Sequence, residues 1–353
     1  MSTLFSPFTL RSVTTRNRIF VSPMCQYSCE DGLVNNWHLV HYGSRAVGGA
    51  GLVMVEATAV SPEGRISPAD NGIWNDDHVA AFLPITLFLA EHGTVPGIQL
   101  AHAGRKGSCR VPWQGGKPVG VASGGWQTVA PSPVPFLDGT AEPRALTKGD
   151  LQTIEAKFSQ AARRALAAGF KVVEIHMAHG YLLHEFLSPL SNKRQDEYGG
   201  SLENRLRFPL QVARAVRAEW PDELPLFVRL SVTDWLDNGW DLQQSMVLIR
   251  ELKELGVDFI DCSSGFVVAN ERVPFGPGFQ VPFAARIKAE TGIASGTVGC
   301  ITDPAQAEQI VATGQADAVL LGREFLRDPY WPLHAAKALG VELAWPHQYL
   351  RAK

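Results

Sequence analysis

The stretch Phe170-Lys-Val-Val-Glu-Ile-His176-Met-Ala-His179-Gly-Tyr181 decides how the rest of the chain is read. It opens after Gly169 as an apolar, β-branched run. A run of that length and composition predicts a buried strand. Two imidazoles and a phenol leave the C-terminal end of that strand together. In an α/β barrel that end carries the active site. Two neutral hydrogen-bond donors beside a proton donor suit a reaction that builds negative charge on a substrate oxygen.

Comparable apolar runs recur at Arg18–Ser22, Gly51–Glu56, Pro96–Leu100, Leu226–Ser231, Val257–Cys262, Ile293–Val298 and Ala316–Leu321. Most precede a segment with helical apolar spacing, such as Leu202–Trp220 behind Ser201 or Gln243–Leu255 behind Asp241. Asp303-Pro304 before Ala305–Thr313 reads as an N-cap followed by a proline at the first helical position. This alternation predicts the α/β class and a closed (β/α)8 TIM barrel, with an open doubly wound sheet as the alternative. Two connections are long, Ala103 to Leu146 after the third strand and Met177–Ser201 after the fourth. The first is rich in Gly, Pro and Trp and has no clear period, which marks a functional lid. No interdomain linker interrupts residues 1–353, so one domain is expected.

The chain has 353 residues, 45% hydrophobic and 19% charged, enough for a large core. Its net charge of −3 offers no basic field for nucleic acid or anionic lipid. The opening Met-Ser-Thr-Leu-Phe-Ser-Pro-Phe-Thr-Leu-Arg has no basic segment followed by an apolar one, so no signal peptide is expected. The longest apolar stretch, around Ala80–Ala90, contains Pro84 and is too short to span a bilayer. Five cysteines without a Cys-x-x-Cys pair argue against a disulfide framework, a zinc ribbon or an iron–sulfur cluster. The cytoplasm is the expected compartment.

Polar residues gather where the strands end: Ser22 to Tyr27, Glu56 to Thr58, Gln99 and His102, His176, Arg229, Ser263 to Gly265, Gly299, and Gly322-Arg323. Arg229 sits inside an apolar run, where an unpaired guanidinium is costly. It faces either a structural carboxylate, Glu56 or Glu174, or an anionic cofactor. Gly322-Arg323 is either a plain turn or, with the loop after the seventh strand, the phosphate site common in this fold. Cys25 is either an inert small hydrophobe or a ligand contact. His38 and His41, at helical spacing, read as packing or helix-surface residues. A metal at His176 and His179 is disfavoured, because no carboxylate stands at a suitable offset. No Gly-x-Gly-x-x-Gly follows a strand, so any nicotinamide dinucleotide is not held in a Rossmann crevice.

Several longer motifs occur in order. They are Ser-Pro-Met-Cys-Gln-Tyr at 22–27, Val-Glu-Ala-Thr-Ala-Val at 55–60, Gly-Ile-Gln-Leu-Ala-His-Ala-Gly-Arg at 97–105 and His-Met-Ala-His-Gly-Tyr-Leu at 176–182. Ser-Asn-Lys-Arg at 191–194, Tyr-Gly-Gly-Ser-Leu-Glu-Asn-Arg at 198–205 and Leu-Gly-Arg at 321–323 follow. On these motifs, nearly the whole chain resembles the old yellow enzymes. These are FMN-dependent ene-reductases, and the resemblance is to their thermophilic-like branch, which includes the xenobiotic reductases.

The resemblance implies roles by position. Ser22, Pro23, Met24 and Cys25 line a non-covalent FMN, and Ala57 and Gln99 bond its pyrimidine edge. Arg229 approaches N1 and O2, while Gly299, Gly322 and Arg323 take the phosphate. His176 and His179 bind the substrate's activating oxygen, Tyr181 is the proton donor, and Tyr27 hydrogen-bonds substrate. Cys25, threonine in other branches, tunes the flavin near N5 and O4. Arg351, in Gln348-Tyr-Leu-Arg351, reaches a neighbouring subunit's substrate site from a tail of about 341–353. That implies a homodimer or a dimer-based homotetramer. The chain ends Ala352-Lys353 where this branch commonly ends in Gly and an aromatic residue.

The implied reaction is NAD(P)H-dependent reduction of the C=C bond of activated alkenes, with quinones and nitro compounds as further acceptors. Two rivals remain beside it. A flavin-free barrel lyase or isomerase needs a Schiff-base lysine or paired carboxylates at strand ends, and neither is visible in the sequence. A non-catalytic flavin carrier differs in that NAD(P)H would not bleach it.

Overall fold

Each expected run becomes a strand, and the eight strands close on themselves. The computed structural model describes residues 2–353. Its barrel strands, numbered in chain order, are β1 Ile19–Val21, β2 Leu52–Ala59, β3 Val95–Ala101, β4 Val172–Met177, β5 Leu226–Ser231, β6 Phe259–Ser263, β7 Ala294–Thr297 and β8 Ala318–Leu321. All neighbours pair in parallel in sequence order, and β8 returns to β1, so the open-sheet alternative is excluded.

Helices cover the outside: α1 Asn36–Val47, α2 Asp76–Glu91, α3 Lys148–Ala167, α4 Leu182–Leu187, α5 Leu202–Glu219, α6 Leu242–Glu254, α7 Val281–Thr291, α8 Pro304–Ala312, α9 Arg323–Arg327 and α10 Trp331–Ala338. The side chains of Ser201, Asp241 and Asp303 cap α5, α6 and α8 as their positions predict. No described helix is long and apolar enough to cross a membrane.

The lower half of the barrel is a packed core. Phe20, Leu52, Met54, Val172, Phe227, Phe259 and Leu320 fill it. The Phe227 and Phe259 rings stack at 4.4 Å. An antiparallel hairpin, Phe8–Leu10 with Val13–Thr15, closes this end and was not anticipated from the sequence. Phe8 reaches in to 6.5 Å from Phe20 and 6.3 Å from Phe259. With its lower end plugged by apolar rings, the barrel has polar side chains only toward its upper, C-terminal mouth.

Register sets the height of those side chains. Gln99 pairs with Ala57 on one side and Glu174 on the other. One level higher, Arg229 pairs with His176 and with Asp261. A bulge in β2 between Val55 and Ala57 leaves Glu56 without a partner in the ladder. Glu56 bonds the hydroxyl of Tyr42 on α1, at 2.7 Å. His38 and His41, also on α1, are buried there, which makes them packing residues rather than surface ones.

Phe259→Ala should cost about 3–5 kcal/mol by emptying the plugged end. Urea or thermal unfolding against the wild type checks this, and a change below about 1 kcal/mol would mean that the hairpin refills the space.

Candidate active site

The Arg229 guanidinium lies inside the barrel mouth, where its Nη1 donates to Ser22 Oγ at 3.0 Å. Its carboxylate partner is Asp261, with Oδ2 3.3 Å from Nε. Neither Glu56 nor Glu174, the two partners suggested by the sequence, forms that ion pair. Glu56 is turned to Tyr42, and Glu174 accepts from Gln99 Nε2 at 2.7 Å. Asp261 escaped notice because it lies mid-strand in an apolar run, and only pairing of β5 with β6 brings it to Arg229. Burial pushes the Glu174 carboxyl up to about 8, reinforced by the charge of Asp261. Glu174 is thus largely protonated at neutral pH; burial raises the Asp261 carboxyl as well, and the adjacent Arg229 charge opposes that rise. Two carboxyl groups therefore do meet at strand level, although none was visible as a pair in the sequence. Both are committed to Arg229 and Gln99.

Directly above, the turn after β4 is fixed atom by atom. The His176 Nδ1 accepts from the Ala178 N–H at 3.2 Å, so the ring proton belongs on Nε2. His179 has φ of +59°, held by its N–H donating to Ser231 Oγ at 2.9 Å. Its Nε2 meets Ser263 Oγ at 2.6 Å; with that hydroxyl as donor, the ring proton sits on Nδ1. Gly180 must be glycine, because a Cβ there would lie 2.2 Å from the Phe266 carbonyl oxygen. The Gly180 N–H donates to His184 Nδ1 at 2.9 Å, and His184 is anchored through Nε2 on Asp234, also at 2.9 Å. Ser231, His184 and Asp234 are thus supporting residues that the sequence reading did not assign.

These bonds bring the three expected groups together. His176 packs edge-on against His179, with centroids 5.2 Å apart, and against Tyr181 at 5.0 Å. Burial, then the positive charge of Arg229, pulls both imidazoles well below their ordinary range, so both are neutral. Burial pushes the Tyr181 phenol well up, which keeps its proton in place until a strong base takes it.

Tyr181 and Tyr27 are floor residues of an 860 Å³ cavity roofed by the segment that follows β3. Ile66, Val119, Trp126 and Phe136 line it. The roof is short 3-10 turns and a two-residue parallel ladder, Val129–Ala130 with Arg144–Ala145, rather than featureless loop. Arg194, from the Ser-Asn-Lys-Arg motif, pins its base by donating to the Pro131 and Leu146 carbonyls. Tyr27, with φ of +49°, stands edge-on to Trp113 at 6.0 Å. Burial, with Asp70 and Glu56 nearby, pushes the Cys25 thiol well up, so it stays protonated.

On the far side of the mouth, Gly299 has φ of +124°, and a Cβ there would press on Phe279 at 2.6 Å. Gly322 begins α9 with no side-chain cap, and a Cβ on it would point at Met24 Sδ, 3.7 Å away. Arg323 makes no ion pair among the described residues. Arg351 is not brought to these groups. It is exposed in the turn His347–Ala352, which rests on its own barrel through Tyr349 and Tyr330, with ring centroids 5.8 Å apart.

A sequence profile of the NADH:flavin oxidoreductase / NADH oxidase family matches residues 3–342. The chain belongs to that family. The NADPH dehydrogenase of Geobacillus thermodenitrificans (strain NG80-2) is 50% identical over 350 residues, 99% of this chain and 98% of that protein. The NADPH dehydrogenase of Bacillus cytotoxicus is likewise 50% identical, over 351 residues, 99% of this chain and 96% of that one. Among solved structures, the old yellow enzyme homologue from Zymomonas mobilis superposes with a TM-score of 0.78 at 29% identity, over 97% of this chain and 94% of its own. Morphinone reductase superposes at 0.79 and 29%, over 98% of this chain and 91% of its own. A longer 2-naphthoyl-CoA reductase, of which this chain covers 52%, is 24% identical with a TM-score of 0.86 and shares the fold.

The protein is therefore an oxidoreductase of the old yellow enzyme family, whose flavin is FMN and whose reductant is a nicotinamide nucleotide. The residues present fit that flavin. With Nε turned to Asp261 and Nη1 on Ser22, the Nη2 of the buried Arg229 makes no hydrogen bond among the described residues and is a donor that an anionic ring edge could use. The turn at Gly322 has no side-chain cap, and a Cβ there would meet only Met24 Sδ, which leaves its backbone approachable by a phosphate.

Nitrogen-15 NMR should find His176 and His179 neutral at pH 6, since folding lowers both below the unfolded value of about 6.5. The sign follows from linkage. Below about pH 6.5 the unfolded imidazoles take up protons that the folded ones refuse, so stability falls with acidity by about 1.4 kcal/mol per pH unit for each. A titration midpoint between pH 6 and 7 for either ring would overturn this assignment.

Proposed function

We propose that this enzyme is an ene-reductase of the thermophilic-like branch, reducing the C=C bond of enones, enals, maleimides and nitroalkenes at the expense of NAD(P)H. The convergence of two neutral imidazoles and a protonated phenol beside a buried arginine supports this reading. FMN, held at the barrel mouth, would supply the two-electron redox chemistry between nucleotide and alkene. Ser22, Pro23, Met24 and Cys25 would line its ring, Ala57 and Gln99 its pyrimidine edge, and Arg229 the N1 and O2 side. Gly299, Gly322 and Arg323 would take its phosphate.

The chain's own groups then divide the work. His176 and His179 donate to the carbonyl or nitro oxygen of the substrate. Their bonds strengthen as that oxygen gathers negative charge, which makes the β-carbon an acceptor. Tyr181 gives its hydroxyl proton to the α-carbon, completing net addition of hydride and proton across the double bond. Tyr27 adds a hydroxyl donor at the cavity floor. Cys25 replaces a stronger hydroxyl donor near the ring with a weak thiol, which tunes the flavin's potential. Nucleotide and alkene occupy the same place in turn, giving ping-pong kinetics. Quinones and nitro compounds present oxygens to the same donors and serve as alternative acceptors.

The same reading takes residues 1–353 as one FMN-binding domain in the cytoplasm, acting on small molecules. An exposed Arg351 with no hydrogen-bond or ion-pair partner among the described residues supports docking of the tail, about 341–353, on a second copy. The assembly would be a homodimer or a dimer-based homotetramer, each tail serving the other subunit.

Replacing both His176 and His179 with Ala should slow enone turnover by roughly 10²–10³ or more while FMN stays bound. The measurement is anaerobic reoxidation with an enone panel; wild-type turnover in a flavin-loaded double variant would end the proposal. Deleting Tyr349–Lys353 should raise the apparent KM without releasing FMN. A monomer by light scattering, with kinetics unchanged by the deletion, would show the tail to be idle.

A further inference from the structure

Lys106 is a half-buried cation at the cavity wall that the reaction as described above does not use. It ends the turn Gly104–Lys106, which follows β3. That turn is pinned to the α4 side of the mouth. The Arg105 N–H donates to Glu185 Oε1 at 2.8 Å, and the Leu182 N–H donates to the His102 carbonyl at 3.0 Å. From this base the Lys106 ammonium donates to the carbonyl of His179 at 2.8 Å and to that of Phe266 at 3.1 Å. It lies over two aromatic faces, 4.4 Å from the centroid of Phe136 and 5.2 Å from that of Tyr181. Burial draws the ammonium down to about 8, while Glu271 and Glu185 hold it up. At about 8 the group is mostly protonated at neutral pH, so it is not the free nucleophile a Schiff-base reaction needs.

We propose that Lys106 is a positioning residue for proton donation by Tyr181, holding the His179-Gly180-Tyr181 turn through its carbonyl and presenting a positive charge to the face of the phenol ring. The inference rests on the proton-donor reading of Tyr181. When the Tyr181 O–H bond breaks, its proton forms the new C–H bond at the substrate's α-carbon. The electron pair stays on the phenolic oxygen and spreads into the ring, and water later returns the proton. A cation on the ring face is attracted more strongly to that electron-rich ring than to the phenol. The attraction is largest where water is excluded. The interaction is therefore stronger in the transition state than before it, which is the condition for a rate effect. Its bond to the His179 carbonyl serves the same end by fixing the backbone that carries the Tyr181 ring.

The test is a double-variant cycle on the FMN-loaded full chain, using an enone and a quinone as acceptors. Lys106→Met should slow enone reoxidation roughly tenfold to thirtyfold. The enone-to-quinone rate ratio should fall, the solvent deuterium effect on the enone step should grow, and Lys106→Arg should restore most of the rate. In a Tyr181→Phe background, Lys106→Met should add nothing further, because its effect passes through the phenol. Should the Met variant fail to fold, Lys106→Gln removes the charge while keeping a donor and should behave like it. Equal slowing in both backgrounds, or an unchanged enone-to-quinone ratio, overturns the inference. If Tyr181→Phe alone leaves enone reduction intact, the proton-donor reading fails and this inference falls with it, an outcome readable from that single variant.

Discussion

A guanidinium buried inside a barrel mouth has to be neutralised by something, and much of this site follows from how Arg229 is met. Asp261 supplies the charge and Ser22 a hydrogen bond. Glu174, crowded by Asp261 and by burial, gives up its own charge and bonds Gln99 as a largely neutral acid. Burial, with the Arg229 charge adding to it, holds both imidazoles above the Arg229–Asp261 pair in the neutral form. Burial is thus the main cause of each protonation state around Arg229, and the guanidinium charge adds to it at the histidines and opposes it at the carboxyl groups.

Above that level, the His179–Tyr181 turn is held from several directions at once. Ser231 from β5, Ser263 from β6, His184 from α4 and Lys106 from the turn after β3 each take a separate atom of the His179–Tyr181 segment or its rings. A left-handed residue followed by a glycine that cannot be replaced would be costly if left to itself. Here the cost is offset by hydrogen bonds that also orient both imidazoles. The roof over the cavity is tied down by the same economy of long side chains. Arg194 holds its base, and Arg105 donates to the Val134 and Val267 carbonyls at 3.0 Å and 2.5 Å.

Much of this was legible from residue types and their order. The eight runs were readable because a parallel strand buried on both faces is apolar along its length, and the helices announced themselves through Ser201, Asp241 and Asp303. His176, His179 and Tyr181 stood out because polar groups at the end of such a run have no core to join. The hairpin at Phe8–Leu10 was not readable. Two three-residue strands carry no period, and only the barrel's open lower end gives Phe8 a place to go.

Local order of residues settled which strands form, in what sequence, and which side chains stand at their upper ends. Hydrophobic period and capping act over a few residues and need no partner. The partner of Arg229, the neutrality of Glu174 and the histidines, and the approach of Lys106 to Tyr181 were decided only by closure of the barrel. Register between strands more than thirty residues apart places Asp261 beside Arg229. Burial, which no single segment possesses, sets the charges. A sequence names the titratable groups, but the distance between them and the water they lose belong to the folded chain.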